Sequence, residues 1–558
     1  MRAPRPERHL DPDAAGSPLA TLPGLTGDRG TASRTVTVIV GPTAATTARG
    51  QLLTWVTVNL LLRCYGALDT VAVRCAETTL IKPLPTLDTD AAAASTLRQS
   101  LRELAAALAD PTREYPTLQL IDTPPASDTP AAATLLIGFD HPADTGVATE
   151  SPATQAWVLS ASSWKAAVVS AAARGGIDTG ALPRLDAPGD VMVGVWFAAA
   201  LGVGEAFKVL GRLRPDAGRF IDVLSADLWN GTIGDCLDAL AGDDGPVDGL
   251  TLPAHWVAGA GAVGQAYLAV LSTSEVDTDI GALDHDDLDD GNLNRHIVAG
   301  VADIGAGKAP LAQQRLATSR TRIVALPYKW QVWVGTHPDS KPPLPAPLAD
   351  QSRNQRYGLV ISAVDKNDAR TALAGSHPAV VFSASTNGLN VECGRYGRDS
   401  PWQCLGCASP LVAARTLEHA AAELRDRSDP ELAALAARAG VDADKLREYL
   451  DNPVCGTLGE REMAKFAAFT RPDWSVSFVS VAAGTLLAAR VLRHVGGLGN
   501  DDALLQRGYP ADGDTLRLWM ATARFARTAH RRRRDCPICS GAPARVPKVD
   551  DHRIDPTW

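Results

Sequence analysis

The sequence predicts an α/β protein built from two tandem Rossmann-like parallel-sheet units. Three observations carry that reading. Short β-branched runs alternate with long apolar stretches, as where "RTVTVIVGP" (34–42) leads into "GQLLTWVTVNLLLRCYGAL". A glycine triplet, Gly259, Gly261 and Gly264, stands between a short apolar run and a helical pattern. Two apolar helical segments, 191–210 and 476–495, align with Gly202 over Gly484 and Lys208 over Arg490, which suggests an internal duplication.

The elements follow in order. Residues 1–32 have arginines but no hydrophobic stretch after them and read as a flexible start, not a signal peptide. "RTVTVIVGP" is a buried strand entering a turn at Gly-Pro, and "ATLLIGFD" (133–140) is another. The apolar spacing of 191–210 fits a largely buried helix. A Gly/Asp-rich break at 240–250 reads as a linker, so a first unit is expected over 33–245. The second unit, 246–545, opens on "PAHWVAGAGAVGQAYLAVL" and continues through the strand starts of "GLVISAVDKNDARTAL" and "AVVFSAS". Residues 413–450 are helical by pattern, with Asp-Pro opening and Gly closing "DPELAALAARAG". They anchor a helical, cysteine-bearing insertion at about 410–470, and 546–558 is a tail.

Composition narrows the class. At 45% apolar and 21% charged the chain has an ordinary globular balance, and its net charge of −9 gives no support for a nucleic-acid or anionic-membrane binder. No run of about 18 apolar residues stands out as a membrane span. Nine cysteines, an odd number without an export signal, suit reduced thiols in a cytoplasm.

The glycine triplet brings backbone amides to a helix N-terminus, where a phosphate binds. Asp284 follows Gly264 by twenty residues, where a ribose-binding carboxylate belongs. Neither feature separates NAD from ATP. The residues after it do: Asn292, Asn294 and Arg295, then Lys308, supply more donors and charge than a pyrophosphate needs. Asp365, just after a strand-like run, lies at the ligand-facing edge of such a sheet and suits magnesium between phosphates. Solvated charges and a helix-capping aspartate are the plain alternatives.

Two C-x-x-C pairs, Cys404/Cys407 and Cys536/Cys539, offer four thiolates for a closed tetrahedral zinc site. A redox pair, or solvent-exposed thiols, is the alternative. Cys455, in "DNPVCGTLGE", is a lone thiol suited either to a packed loop or to nucleophilic attack on an acyl-adenylate. Cys64, Cys75, Cys236 and Cys393 read as core or incidental, and "HRRRRD" (530–535) as a solvated basic face.

Taken in order, these motifs resemble the ubiquitin-activating superfamily, the ThiF/HesA/MoeB group. They run Gly259-Gly261-Gly264, Asp284-Asp286, Asn292-Leu293-Asn294-Arg295, Asp303-Ile304-Gly305 with Lys308, Val364-Asp365 with Arg370, and the two cysteine hooks. The resemblance covers about 250–545. It implies binding of ATP and magnesium and adenylation of the C-terminal carboxylate of a ubiquitin-like protein, a sulfur carrier or a peptide. It further implies that Asp284 holds the ribose, that Arg295 and Lys308 hold the phosphates with help from Asn292, and that Asp365 organises magnesium. "PVCGT" is similar to the family's catalytic-cysteine loop, which implies a thioester on Cys455 and a downstream conjugating protein.

Departures from the pattern are Ala262 in place of a second consecutive glycine, Lys366 in place of Asn after Asp365, and Gly456 in place of Thr after Cys455. Family members pair two homologous units, as homodimers or as fused tandems with one dead half. The first unit here lacks the glycine triplet and the Asn-Leu-x-Arg set, and so fits a degenerate half in a pseudo-dimeric monomer. Arg5 or Arg8 would be the arginine contributed across the halves. An NAD-dependent oxidoreductase and a catalytically dead scaffold for a ubiquitin-like partner are the rival readings.

Overall fold

The computed structural model describes residues 34–65, 67–88, 94–110, 116–122, 131–139, 155–172, 179–210, 220–242, 244–397, 403–409, 428–439, 442–451, 476–496, 515–528, 536 and 538–539. The first unit is a sheet of β1 (Thr35–Val40), β2 (Thr70–Arg74), β3 (Thr117–Ile121), β4 (Ala133–Ile137), β5 (Gln155–Ala161), β6 (Lys165–Ser170), β7 (Val223–Asp227) and β8 (Thr232–Gly234). The second comprises β9 (His255–Ala258), β10 (Thr278–Leu283), β11 (Thr321–Leu326), β12 (Leu359–Ser362), β13 (Val380–Asn387), β14 (Asn390–Tyr396), β15 (Thr515–Trp519) and β16 (Arg524–Thr528).

The strand orders are β3-β2-β1-β4-β5-β6-β7-β8 and β11-β10-β9-β12-β13-β14-β15-β16, one topology used twice. In each sheet the first five strands of that order are parallel and the last three turn antiparallel. The units are therefore tandem α/β repeats, with mixed rather than wholly parallel sheets. Fully enclosed runs such as "ATLLI" in β4 explain the central positions, since a parallel strand is covered on both faces.

Counting helices of six residues or more, the described ones are α1 (Ala48–Leu62), α2 (Leu97–Leu108), α3 (Val193–Leu210), α4 (Ala262–Thr273), α5 (Lys308–Leu316), α6 (Trp330–Gly335), α7 (Ala346–Asn354), α8 (Asn367–Gly375), α9 (Asp429–Ala439), α10 (Ala443–Asp451) and α11 (Ser477–Val495). Thr47 caps α1 by accepting from Gly50 N, and Thr96 caps α2 by accepting from Gln99 N. The helical pattern at 413–450 yields α9 and α10; residues 410–427 lie outside the described ones.

The units join through helices: α1 packs on α3, α3 on α11, and α11 on α4. A Cβ on Gly484 would come within 2.5 Å of the Ala266 side chain, so only glycine permits the α11–α4 approach. By length and hydropathy α3 and α11 do reach what a membrane crossing requires, which corrects the sequence reading. Within this fold 94% and 89% of those stretches are buried, as in helices of a protein core. Buried cations pin the helices to distant strands. Lys208 Nζ donates to Met520 O at 3.2 Å and Arg490 Nη1 to Cys393 O at 2.5 Å. The 240–250 break is stitched to the first unit rather than free. Trp164 Nε1 donates to Pro246 O, Lys165 Nζ to Gly242 O, and Asp190 N to Val247 O. Buried donors need acceptors, and this segment's carbonyls provide them.

His255 sets an acid limit. It is fully enclosed, 2.9 Å from both Pro253 O and Tyr267 Oη, and burial pushes its pKa down to about 4. The unfolded chain protonates this imidazole near pH 6.5. Stability from His255 is therefore full above about pH 6.5 and is lost progressively down to about pH 4, by about 3 kcal/mol. Urea titrations at pH 7 and pH 5 check this, with His255→Asn expected to flatten the dependence.

Candidate functional site

β9 ends at Ala258, and the chain turns at Gly259 with φ +97°, a conformation suited to glycine. A side chain on Gly259 would meet Ala363 O at 2.8 Å, and one on Gly264 would meet Gly259 O at 2.0 Å. Both glycines are needed for packing. Gly261, at the N-cap of α4, has no atom within 4 Å of where its Cβ would be. The helix N-terminus thus opens on free space at the carboxyl ends of β9, β10 and β12. There the chain passes from β10 on one side of β9 to β12 on the other, the crevice where α/β sheets bind ligands. Gly264→Ala should cost about 1–3 kcal/mol of stability by overpacking. Gly261→Ala should leave the melting temperature unchanged and weaken nucleotide binding. Thermal melts and titration with a fluorescent ATP analogue distinguish the two.

Asp284 follows β10. Its Oδ2 accepts from Ala260 N and its Oδ1 from Asp286 N, both at 2.9 Å. It ties the glycine loop to the acidic loop. Burial raises its pKa despite those amides and the nearby Lys308, so its charge is held at a cost. Lys308 opens α5; its backbone N donates to Asp286 O and its Nζ lies 3.3 Å from Asp286 Oδ2. Burial alone would raise the Asp286 carboxyl, but Lys308, His285 and Lys366 together hold it below the usual range. Lys366 therefore belongs to the same charge cluster, a residue the sequence treated only as a departure.

The two amides and the guanidinium sit on a short turn. Asn292 is buried, and its Oδ1 accepts from Asp289 N at 3.3 Å, closing that turn. Arg295 Nη1 donates to Gly291 O at 2.7 Å and to Asn294 Oδ1 at 3.0 Å, which fixes it on its own loop. Asp365 is exposed just beyond β12. Arg370, itself half-buried, braces that turn through Val364 O at 3.1 Å.

The first unit repeats the frame without the charges. Leu97 N donates to Thr78 O as Lys308 N does to Asp286 O, and Leu80 N to Ser95 O as Leu288 N does to Ala306 O. This pattern sets Leu97 opposite Lys308, Thr78 opposite Asp286 and Ala76 opposite Asp284. A Cβ on Gly41, just after β1, would meet Gly138 O at 2.5 Å, as one on Gly259, just after β9, would meet Ala363 O at 2.8 Å.

Ala48-Arg49-Gly50-Gln51 likewise matches Ala262-Val263-Gly264-Gln265. Gln51 donates to Thr79 O and accepts from Ile81 N. The side-chain amide of Gln265, fully buried, has no hydrogen-bond partner among the described residues. The atom corresponding to Ile81 N, Asp289 N, is taken by Asn292.

The four hook cysteines converge from positions 132 residues apart. Sγ–Sγ distances are 3.7 Å for Cys404–Cys407, 3.6 Å for Cys404–Cys536 and 3.3 Å for Cys407–Cys539. A disulfide needs about 2.05 Å. Thiolates around zinc at about 2.3 Å stand about 3.8 Å apart. The cluster fits zinc. Gly406 leaves room for Ile538, whose Cγ1 would be 2.8 Å from a Cβ there. Burial pushes the Cys64 and Cys75 thiols up to about 12 and about 11, which makes them inert; Cys393 is also buried, and Cys236 is exposed. Cys455, Arg5 and Arg8 lie outside the described residues.

A curated relative, the uncharacterized protein y4jF of Sinorhizobium fredii (strain NBRC 101917 / NGR234), is 26% identical over 281 residues, 46% of this chain. The chain spans about half of that relative's length. Among solved structures, E. coli MccB with MccA-N7isoASN and the microcin C7 biosynthetic enzyme MccB with N-formylated MccA are each 13% identical with a TM-score of 0.31. Each match covers 51% of this chain and 66% of the other, less than two thirds. The sequence model of the ThiF family matches residues 250–536, over half of the chain and all of the site residues from Gly259 to Cys407. With its glycine loop, charged turn and converging cysteines inside that span, the chain belongs to the ThiF family.

Proposed function

We propose that this protein uses ATP and magnesium to adenylate a C-terminal carboxylate, that of a ubiquitin-like protein, a sulfur carrier or a peptide. The observation that carries the reading is the open helix N-terminus at Gly261, beside the Asp286, Lys308 and Lys366 charge cluster at the sheet's switch point. Asp284 has lone pairs beyond its two backbone amides to accept from ribose hydroxyls. Lys308 and Arg295 neutralise phosphates, Asn292 and Asp286 shape their loop, and the exposed Asp365 carries magnesium. The first unit, with Leu97, Thr78 and Ala76 in place of the charged set, is the inactive half.

In the reaction a carboxylate oxygen attacks the α-phosphorus. The bond from that phosphorus to the bridging oxygen breaks, pyrophosphate leaves with the electron pair, and an acyl-adenylate remains. Positioning and charge neutralisation do most of the work. In a second step the Cys455 thiolate attacks the acyl carbon, a thioester forms, and AMP leaves. Zinc on Cys404, Cys407, Cys536 and Cys539 clips the C-terminal segment to the second unit, in the reducing setting of a cytoplasm.

The test is exchange of labelled pyrophosphate into ATP, with magnesium and small candidate acceptors ending in a free carboxylate. Acceptor-dependent exchange, and a thiol-sensitive adduct lost in Cys455→Ala, are expected. Binding of NAD with no ATP exchange under any acceptor would overturn the reading in favour of hydride chemistry.

A further inference from the structure

The turn that carries Asn292, Asn294 and Arg295 does not hold itself. Its own backbone bonds use the carbonyls of Asp289, Asp290, Asn292 and His296. The carbonyls of Leu293, Ile297 and Ala299 are instead taken by side chains of the first unit. Arg63, just past the end of α1 and fully enclosed, donates to Leu293 O at 2.5 Å, Ala299 O at 2.9 Å and Ile297 O at 3.2 Å. Its Nε donates to Asn59 Oδ1 at 2.8 Å, and Asn59 Nδ2 in turn donates to Ile297 O at 2.8 Å. Tyr65 Oη adds a bond to Leu293 O at 3.3 Å, and its ring packs with Leu288, Leu293, Ala299 and Leu311.

From this geometry we propose that Arg63 is a positioning residue for the second unit's site. The first unit, though stripped of its own charges, thereby completes the active one. The inference rests on the adenylation reading for its activity arm only. The fork of a guanidinium spans three carbonyls at once, which a lysine ammonium does not do with fixed directions. Leu293 and Ile297 bracket Asn294 and Arg295. Fixing both carbonyls fixes the register at which Arg295 leaves the turn. The companion bond from Asn59 also orients the guanidinium through its Nε, so the pair acts as one unit. Lys82 makes another bridge between the units, 2.5 Å from Glu275 and 2.7 Å from Asp190 of its own unit, but it is half-exposed and remote from this turn in sequence.

The experiment compares full-length wild type, Arg63→Met and Arg63→Lys. Hydrogen–deuterium exchange over residues 288–300 should quicken by at least tenfold in Arg63→Met, with helix 262–273 unchanged. In pyrophosphate exchange the KM for ATP should rise far more than kcat falls. The combined loss should be about a hundredfold, the scale that a ~1 Å misplacement costs. Arg63→Lys should recover only part of it. In Arg63→Ala, added guanidinium ion at millimolar concentration should restore activity, a response that lost fold stability does not produce. Unchanged deuterium exchange over 288–300 in a folded Arg63→Met overturns the proposal, as does an unchanged KM in active protein. Wild type that never exchanges pyrophosphate defeats the adenylation reading instead. The deuterium result still decides whether Arg63 holds the turn.

Discussion

Lys308→Ala should lower pyrophosphate exchange by about 10²–10³ at saturating ATP, the cost of deleting one charge-stabilising donor in an enzyme site. The alternative is that Lys308 is only the partner of Asp286. That pair lies 3.3 Å apart with Asp286 55% exposed, and such surface pairs contribute at most about 1 kcal/mol. A structural role therefore predicts a small change in melting temperature and little change in rate. A phosphate-binding role predicts a small change in melting temperature and a large change in rate. Lys308→Arg keeps the charge but not its point geometry, and should fall between. Measured exchange within threefold of wild type in Lys308→Ala would remove Lys308 from the site.

Removal of zinc should be the largest stability effect. The four sulfurs are already gathered, and Cys536 is 1% exposed, so an ion there would close a contact between segments 132 residues apart. Structural zinc contributes about 10–16 kcal/mol in small zinc-finger peptides at neutral pH. In a chain with large cores of its own a part of that appears as global stability and the rest as local release of the tail. One zinc per chain by atomic emission is expected. A strong chelator should lower the first thermal transition, and Cys536→Ser should mimic it. Protein purified under reducing conditions that holds no zinc, and whose melt ignores the chelator, contradicts the site. The disulfide alternative predicts the opposite response: sensitivity to reductant and none to chelator.

Local chemistry made much of this protein legible from its residues in order. The glycine spacing, the Asp284–Asp286 and Asn292–Arg295 runs, Lys308, Asp365 and the paired cysteines all stand out by spacing, the fixed intervals that a nucleotide or zinc site would impose on the chain. The same is true of the strand–helix alternation and of the α3–α11 likeness, since burial imposes its period on the sequence. What spacing does not encode is which residues meet across long intervals.

Only the folded chain decided four things. Lys366 joins the Asp286–Lys308 cluster because the loops after β10 and β12 flank one strand. The 240–250 segment is bound down because buried donors of the first unit lacked acceptors. Gly41 packs against Gly138 O after β4, as Gly259 packs against Ala363 O after β12. And Arg63, an arginine just past the end of an apolar helix with no motif around it, grips a turn some 230 residues away. For the 240–250 segment and for Arg63 the reason is the same. Carbonyls left over by irregular turns must find donors somewhere, and three-dimensional packing alone determines which donors are in reach.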